Sequence, residues 1–230
     1  MDKNGTETAL STYEEVASLL EYPLLNRMFS EEEIAAGCRV ARDYGLAAII
    51  VRPTDVDAAA RWMQDSSVAV GSVAGFPSGF QTTAVKLYEA RDLLRRGAKE
   101  IEAVLNIGKL FSRQFQYLET ELLQLVQACQ EAGALLKVEF ASSSLPEDLK
   151  TIACKLCNRT GVHFATIDSA DELPLIRSRC KERVRIKATE VASLDQLLEL
   201  NAAGCSRFAS SNPALLLEEW KARLAAIEQR

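Results

Sequence analysis

The amino-acid sequence predicts a single α/β domain, a (β/α)8 barrel, over its 230 residues. Short apolar runs alternate with longer amphipathic segments almost to the end of the chain, as in parallel strands separated by helices. Glycine repeatedly stands between a helical segment and the next apolar run, where a left-handed helix cap is needed. No linker rich in proline, glycine or serine divides the chain, so we expect one domain over residues 1–230, with a polar extension at about residues 1–12.

Eight apolar runs have the composition of strands that are buried on both faces. The run from Ala47 to Val51 shows this most clearly, because it contains no polar residue and ends in three β-branched residues. The other predicted strands are residues 19–25, 68–73, 101–105, 135–140, 163–167, 184–187 and 206–209.

Helix start and stop signals separate these strands. Ser30-Glu31-Glu32-Glu33 is a capping box, and it predicts a helix that ends before Gly45. Further helices are predicted over residues 89–96, 118–131, 145–160 and 194–203, each followed within two residues by a glycine. An open, doubly wound sheet is the alternative architecture. It is disfavoured because neither a dinucleotide-binding glycine motif nor a P-loop sequence is present.

The composition narrows the classes of partner. The chain is 48% hydrophobic and 26% charged, with a formal net charge of −5, so nothing favours nucleic acid or an anionic membrane. No apolar run approaches the roughly 20 residues of a membrane span. The first residues lack the basic and apolar regions of a signal peptide, so a cytoplasmic location is expected.

Cys154 and Cys157 have a spacing that metal and redox sites use. They lie within a predicted helix, no second cysteine pair exists, and His163 is the only histidine. We therefore expect small side chains on a buried helix face, and neither a metal nor a cofactor.

Charged and polar residues stand at the ends of several predicted strands, where the chemistry of a barrel is located. Alternation places Glu102 and Asn106 on one face of the fourth strand, and Lys137 and Glu139 on one face of the fifth. Lys187 ends the seventh. Each one alone is more readily explained as a solvated strand end or a structural ion pair. Together they predict lysines and carboxylates inside one barrel, a combination that supports carbonyl chemistry through a lysine amine.

Two stretches resemble those of a known family. Residues 73–86, VAGFPSGFQTTAVK, resemble the G-F-P-x-G-x-x-x-T-x-x-K signature of 2-deoxyribose-5-phosphate aldolases. Residues 97–108, GAKEIEAVLNIG, are similar to G-A-D-E-I-D-M-V-I-N-I-G of the same family. Lys187-Ala188-Thr189 and Ser210-Ser211 match its seventh-strand and eighth-strand motifs, and the resemblance runs from about Leu19 to Leu217. It implies a class I aldolase barrel.

The resemblance also suggests roles for individual residues. The family forms its Schiff base on a lysine in F-V-K-T-S-T-G, and the aligned residues 164–170 are FATIDSA, so Thr166 stands at that position. By the same alignment, Lys187 corresponds to the family's second catalytic lysine and Glu102 to its proton-shuttling aspartate. The remaining candidates are Lys137 as a catalytic lysine and, as substrate-binding residues, Glu21, Asn106, Glu139, Thr166, Ser210 and Ser211.

Phosphate binding is expected to be impaired. The family holds its sugar phosphate with glycine-rich loops after strands six and seven. Here Ala170-Asp171-Glu172 and Glu190-Val191-Ala192-Ser193 stand in those loops, and only Ser210 and Ser211 are kept.

Three functions remain open from the sequence. The first is a lyase that acts on a small carbonyl compound or sugar phosphate through Lys187 or Lys137, with Glu102 as acid and base. The second is a relative with altered enolisation or dehydration chemistry. The third is a catalytically inactive barrel with a binding or regulatory role. The resemblance further implies a homodimer.

Overall fold

The computed structural model describes residues 10–228 of the chain. Eight parallel strands are β1 (Leu20–Leu24), β2 (Ala48–Val51), β3 (Ala69–Ala74), β4 (Glu100–Val104), β5 (Leu135–Glu139), β6 (Phe164–Ile167), β7 (Arg185–Ala188) and β8 (Arg207–Ala209). Each strand pairs with the next, and β8 pairs with β1 to close the sheet. The predicted (β/α)8 barrel is therefore confirmed, and the open sheet is wrong.

Helices connect the strands around the outside of the barrel. They are α1 (Tyr13–Ala17), α2 (Glu31–Tyr44), α3 (Val56–Trp62), α4 (Thr83–Arg95), α5 (Ile107–Phe111), α6 (Phe115–Glu131), α7 (Glu147–Thr160), α8 (Leu173–Arg179), α9 (Leu194–Ala202) and α10 (Pro213–Glu228). The capping box at Ser30 forms as predicted, and Gly45 closes α2 in the left-handed conformation with φ 66°. None of the helices among residues 10–228 combines the length and apolar character that a bilayer span requires.

A polar extension was predicted at about residues 1–12, and residues 1–9 of it lie outside the described part of the chain. At its end, Thr12 already belongs to the fold, because its side chain accepts a hydrogen bond from Glu15 N and caps α1. The α1 helix has only five residues and was not predicted, since one turn and a half carries too little periodicity to be recognised.

The interior of the barrel has an apolar side and a charged side. Ala48, Ile50 and Val73 on β2 and β3 form a small apolar cluster, separate from the main core between the strands and the helices. The opposite side of the interior carries charged side chains from β1, β4, β5, β7 and β8. Burying so many charges is costly unless they are paired with one another. The charged side chains are therefore expected to lie within pairing distance of one another.

Candidate functional site

Six charged side chains meet inside the barrel, and we call them the charged ring. Its members are Glu21, Glu100, Glu102, Lys137, Lys187 and Arg207. As whole residues, none of the six is more than 9% exposed. Three carboxylates balance three cations, so the buried cluster carries no net charge when all six groups are ionised. A balanced set of this kind limits the desolvation cost that an isolated buried charge would bear.

Lys137 lies at the centre of the ring. Its Nζ atom is 2.6 Å from Glu100 and 3.1 Å from Glu102, and it also contacts Glu21. Burial by itself would lower the pKa of Lys137, but attraction to Glu21, Glu102 and Glu100 outweighs burial and raises the pKa above its ordinary value. Lys137 therefore remains a charged ammonium.

Lys187 lies beside Lys137 and has two carboxylate partners. Its Nζ atom contacts Glu21 and Glu102. Burial opposes ionisation of Glu21, yet Lys137, Lys187 and Arg207 outweigh that effect and hold its pKa well below the usual range. Glu21 thus serves as a fixed anion below the two lysines, whereas the side chain of Glu102 is 12% exposed and is the most accessible carboxylate of the ring.

Arg207 and Glu100 complete the ring, 3.3 Å apart, and sequence reasoning missed both. The signal for Glu100 was present: it is two residues before Glu102, so it lies on the same face of β4. Arg207 is the only charged residue of β8, and its guanidinium carbon lies 5.4 Å from the centre of the Phe164 aromatic ring.

The aldolase-like motifs fix the end of β4, next to Glu102. Lys86 of α4 is fully buried, and its Nζ atom donates to the carbonyl of Val104 and to Glu121 of α6, both at 2.8 Å. Gly79 packs directly against the chain after β4, since a Cβ atom there would lie 2.4 Å from the carbonyl oxygen of Leu105. Close packing therefore explains Gly79 of the G-F-P-S-G motif, and the buried hydrogen bonds explain Lys86 of the T-x-x-K motif.

Thr166 and Glu139 lie above the ring, toward the C-terminal ends of the strands. Strand pairing places Thr166 next to Lys187 on one side and Glu139 on the other. Thr166 is 4% exposed and Glu139 is half-buried. Burial raises the pKa of Glu139, and repulsion by Glu102 adds to this increase. The space beside Lys187 is thus shared by a hydroxyl and a carboxyl group.

Three other predicted substrate-binding residues have local hydrogen-bonding roles or lie at the surface. The Asn106 side chain caps α5 by accepting from Lys109 N at 3.1 Å. Ser210 is buried, and its hydroxyl accepts from Asn212 N at 3.2 Å. Ser211 is exposed at the start of α10. The structure brings Glu21, Glu102, Lys137 and Lys187 into one cluster, but it does not bring these three residues into it.

The cysteines lie away from the ring. All six are buried, and burial raises the pKa of Cys38, Cys129 and Cys205 to about 12. Cys154 and Cys157 lie on the inner face of α7, where structural cysteines were expected. Over residues 10–228, no group of three or more histidine, cysteine or acidic side chains has an arrangement that could hold a metal ion.

A curated relative covers nearly the whole chain. The deoxyribose-phosphate aldolase of Caldanaerobacter subterraneus subsp. tengcongensis is 30% identical over 216 residues, which are 90% of this chain and 94% of the relative. The chain belongs to the deoxyribose-phosphate aldolase family. No protein-family model matches it.

Solved structures agree with this membership. An aldolase named QR15 superimposes with a TM-score of 0.85 at 27% identity, over 91% of this chain and 97% of QR15. The deoxyribose phosphate aldolase of Aeropyrum pernix, described as a unique tetramer, also has a TM-score of 0.85, at 23% identity over 93% of this chain and 94% of that protein. The second likeness concerns the fold alone. The charged ring therefore lies inside an aldolase-like barrel of the lyase class.

Proposed function

We propose that this protein is an aldolase-type lyase that forms a Schiff base through the Lys187 amine, with Glu102 as the proton carrier. The observation that carries the proposal is the direct contact between Lys187 and Glu102 inside a barrel of the aldolase family. A lysine next to a carboxylate in a barrel interior has both the nucleophile and the acid–base group that carbonyl chemistry needs.

A free amine is required before Lys187 can attack a carbonyl. Transfer of one proton from Lys187 to Glu102 supplies that amine and leaves two neutral groups in place of an ion pair, so the net charge of the ring does not change. Removing two charges from a buried site also removes their desolvation cost. Lys137 and Arg207 then remain opposite Glu21 and Glu100, and the ring stays balanced.

The proposed reaction follows from these two groups. The Lys187 nitrogen forms a bond to the carbonyl carbon, and the carbonyl oxygen leaves as water after taking up protons that Glu102 relays. The resulting iminium accepts the electron pair of the bond between its α and β carbons as that bond breaks, Glu102 takes the proton of the β-hydroxyl group, and the β carbon departs as an aldehyde. Protonation of the enamine and hydrolysis by water release the second product and restore the amine.

Borohydride trapping tests the proposal. With acetaldehyde as the probe, we expect a reduced adduct at Lys187 in wild type and none in Lys187→Arg, which keeps the charge and both carboxylate partners but cannot form the adduct. Lys155→Arg, on the exposed surface of α7, is the matched control and should trap as wild type does. An adduct at Lys137 alone would move the nucleophile to that residue. Absence of any adduct together with absence of aldol cleavage would refute the proposal.

A non-catalytic barrel is the second candidate, and one observation favours it. Both lysines are paired with carboxylates, and Thr166, which has no amine, lies where the family resemblance places the Schiff-base lysine. In that case the ring stabilises the barrel interior and the protein acts by binding. The trapping experiment separates the two candidates.

The proposal includes a homodimer in the cytoplasm. The family resemblance supports the dimer, and the Aeropyrum pernix relative is described as a tetramer, so assembly is a property of at least one family member. Light scattering of the purified protein would give the mass of the assembly and test the dimer directly.

A further inference from the structure

We propose that this barrel acts on an uncharged small carbonyl compound, and that Asp168 and Glu190 at the catalytic end exclude phosphorylated substrates. This inference rests on the proposed function for the reaction, but its first test concerns anion binding only.

Phosphate sites of (β/α)8 barrels are built from backbone N–H groups in the loops after β7 and β8 and at a helix N-terminus. In this chain three amides of the loop after β7 are already engaged within the protein. Thr189 N donates to Ile167 O at 3.1 Å, and Val191 N donates to Ala209 O at 2.9 Å. Ala192 N donates to the Gln196 side chain at 3.0 Å. These amides have no free hydrogen to offer a phosphate oxygen.

Two amides of the loop after β8 are engaged in the same way. Ser210 N donates to Glu21 O at 3.2 Å, and Asn212 N donates to the Ser210 hydroxyl at 3.2 Å. The exposed hydroxyl of Ser211 remains, and one hydroxyl is a weak site for a dianion.

Asp168 places a fixed negative charge just after β6. Its carboxylate accepts from the hydroxyls of Ser142 and Ser143 at 2.7 and 2.9 Å, and from Ser143 N at 2.8 Å. Burial opposes ionisation, but these hydrogen bonds outweigh it and lower the pKa of Asp168. Asp168 is exposed at the C-terminal end of β6, and its carboxylate is ionised at neutral pH.

Glu190 adds a second charge just after β7. Its backbone has φ 56°, in the left-handed region where glycine sits without strain, and its side chain is exposed. A glycine there would remove both the charge and the strain and would leave the backbone accessible. With Glu190 at this position, the loop presents a carboxylate where an anion site needs donors.

Four cations of the barrel and of α7 are already matched by carboxylates of the protein. Lys137, Lys187 and Arg207 are buried and already paired within the charged ring. Lys150 of α7 is 2.5 Å from Glu172, so its charge is matched as well. Burial and then repulsion from Glu102 raise the pKa of Glu139, and Asp168 adds to that repulsion.

The first test is the binding of inorganic phosphate. Two readouts measure it: the change in melting temperature and the 31P NMR line width. We expect no saturable binding to wild type. We expect measurable binding to Glu190→Gly, which removes the charge and relieves the left-handed strain so that the loop can turn its amides toward a phosphate, and a smaller gain in Glu190→Gln, which removes the charge alone. The matched control is Glu182→Gln, exposed before β7 at the opposite end of the barrel, and it should resemble wild type. Saturable binding to wild type would overturn the inference.

Substrate preference is the second test, and it separates this inference from the proposed function. We expect wild-type trapping by borohydride to be at least about tenfold faster with 2-deoxyribose than with 2-deoxyribose 5-phosphate, a difference of about 1.4 kcal/mol in free energy. Equal or faster trapping with the phosphate ester overturns the inference while the Schiff-base proposal stands. If neither sugar is trapped, the proposed function fails, and the phosphate-binding series still decides whether the entrance excludes anions.

Discussion

Lys187 and Glu102 form an ion pair across the barrel interior although 85 residues separate them along the chain. Lys187 belongs to β7 and Glu102 to β4, so two other strands lie between them in the sheet. The pair exists only because the barrel closes and its inward-facing side chains converge. The charged ring is therefore a product of the whole fold, and its energetics should be sensitive to the loss of any member.

Glu21→Gln should strongly destabilise the protein, because it leaves the buried Lys137 and Lys187 with one anion fewer. Loss of one partner of a buried ion pair costs about 3–5 kcal/mol. Urea unfolding of wild type and variant measures the difference. Glu218→Gln removes a partner of Lys221 at the surface and should leave the free energy of unfolding unchanged. Equal effects of the two substitutions would contradict the ring's structural role.

The stability of the protein should also fall in acid. The folded-state pKa of Glu21 is depressed, so Glu21 contributes stability that is fully present above its unfolded pKa of about 4.3 and is lost as the pH falls further toward the folded value. Urea midpoints measured between neutral pH and strong acid should show this decline, and Glu21→Gln should show a shallower one. An identical slope for the two proteins would be inconsistent with the paired state of Glu21.

The sequence predicts the fold well because strand runs and glycine caps are local signals. The strand from 47 to 51, for instance, appears in the structure as Ala48–Val51, one residue shorter at its start. It also predicts that Glu102, Lys137 and Lys187 share the interior, since period-two alternation determines which face each strand residue occupies.

The pairing within the ring could not be predicted in the same way. Alternation says that Glu100 and Lys137 point inward, but the register between strands decides which carboxylate meets which amine. Asn106 and Ser210 show the same limit. Their position after a strand suggested substrate contact, whereas the structure uses their side chains to accept hydrogen bonds from nearby backbone amides.

Thr166→Lys should introduce a reactive amine next to Lys187. The neighbouring ammonium lowers the pKa of an adjacent amine, and ionisation of Glu139 can balance the added charge. We expect a borohydride adduct with acetaldehyde at position 166. Thr166→Met, of similar bulk and without an amine, is the control and should show no adduct there. If Thr166→Lys folds but forms no adduct, the surrounding site no longer supports Schiff-base chemistry.

Glu139→Gln should stabilise the protein at neutral pH. Burial and then repulsion from Glu102 raise the folded-state pKa of Glu139, so ionisation costs stability as the pH rises from the unfolded pKa of about 4.3 through the folded value. An amide avoids that cost. Melting temperatures should be higher for the variant at pH 7 and should converge with wild type in acid. A lower melting temperature at pH 7 would indicate that the carboxylate makes a stabilising contact.

Gly79→Ala should be far more damaging than Gly45→Ala, although both glycines have a positive φ near 70°. At Gly45 no atom lies within 4 Å of the added Cβ, so the cost is the strain of a left-handed alanine, about 1–2 kcal/mol. At Gly79 the Cβ would meet backbone atoms of Leu105 at 2.4 and 2.9 Å, and backbone cannot rotate away. Relief of that clash must displace the chain that follows Glu102. We expect an additional loss of at least about 2 kcal/mol in the free energy of unfolding, together with reduced borohydride trapping at Lys187. Equal losses for the two variants in urea unfolding would show that the loop after β3 can shift without disturbing β4.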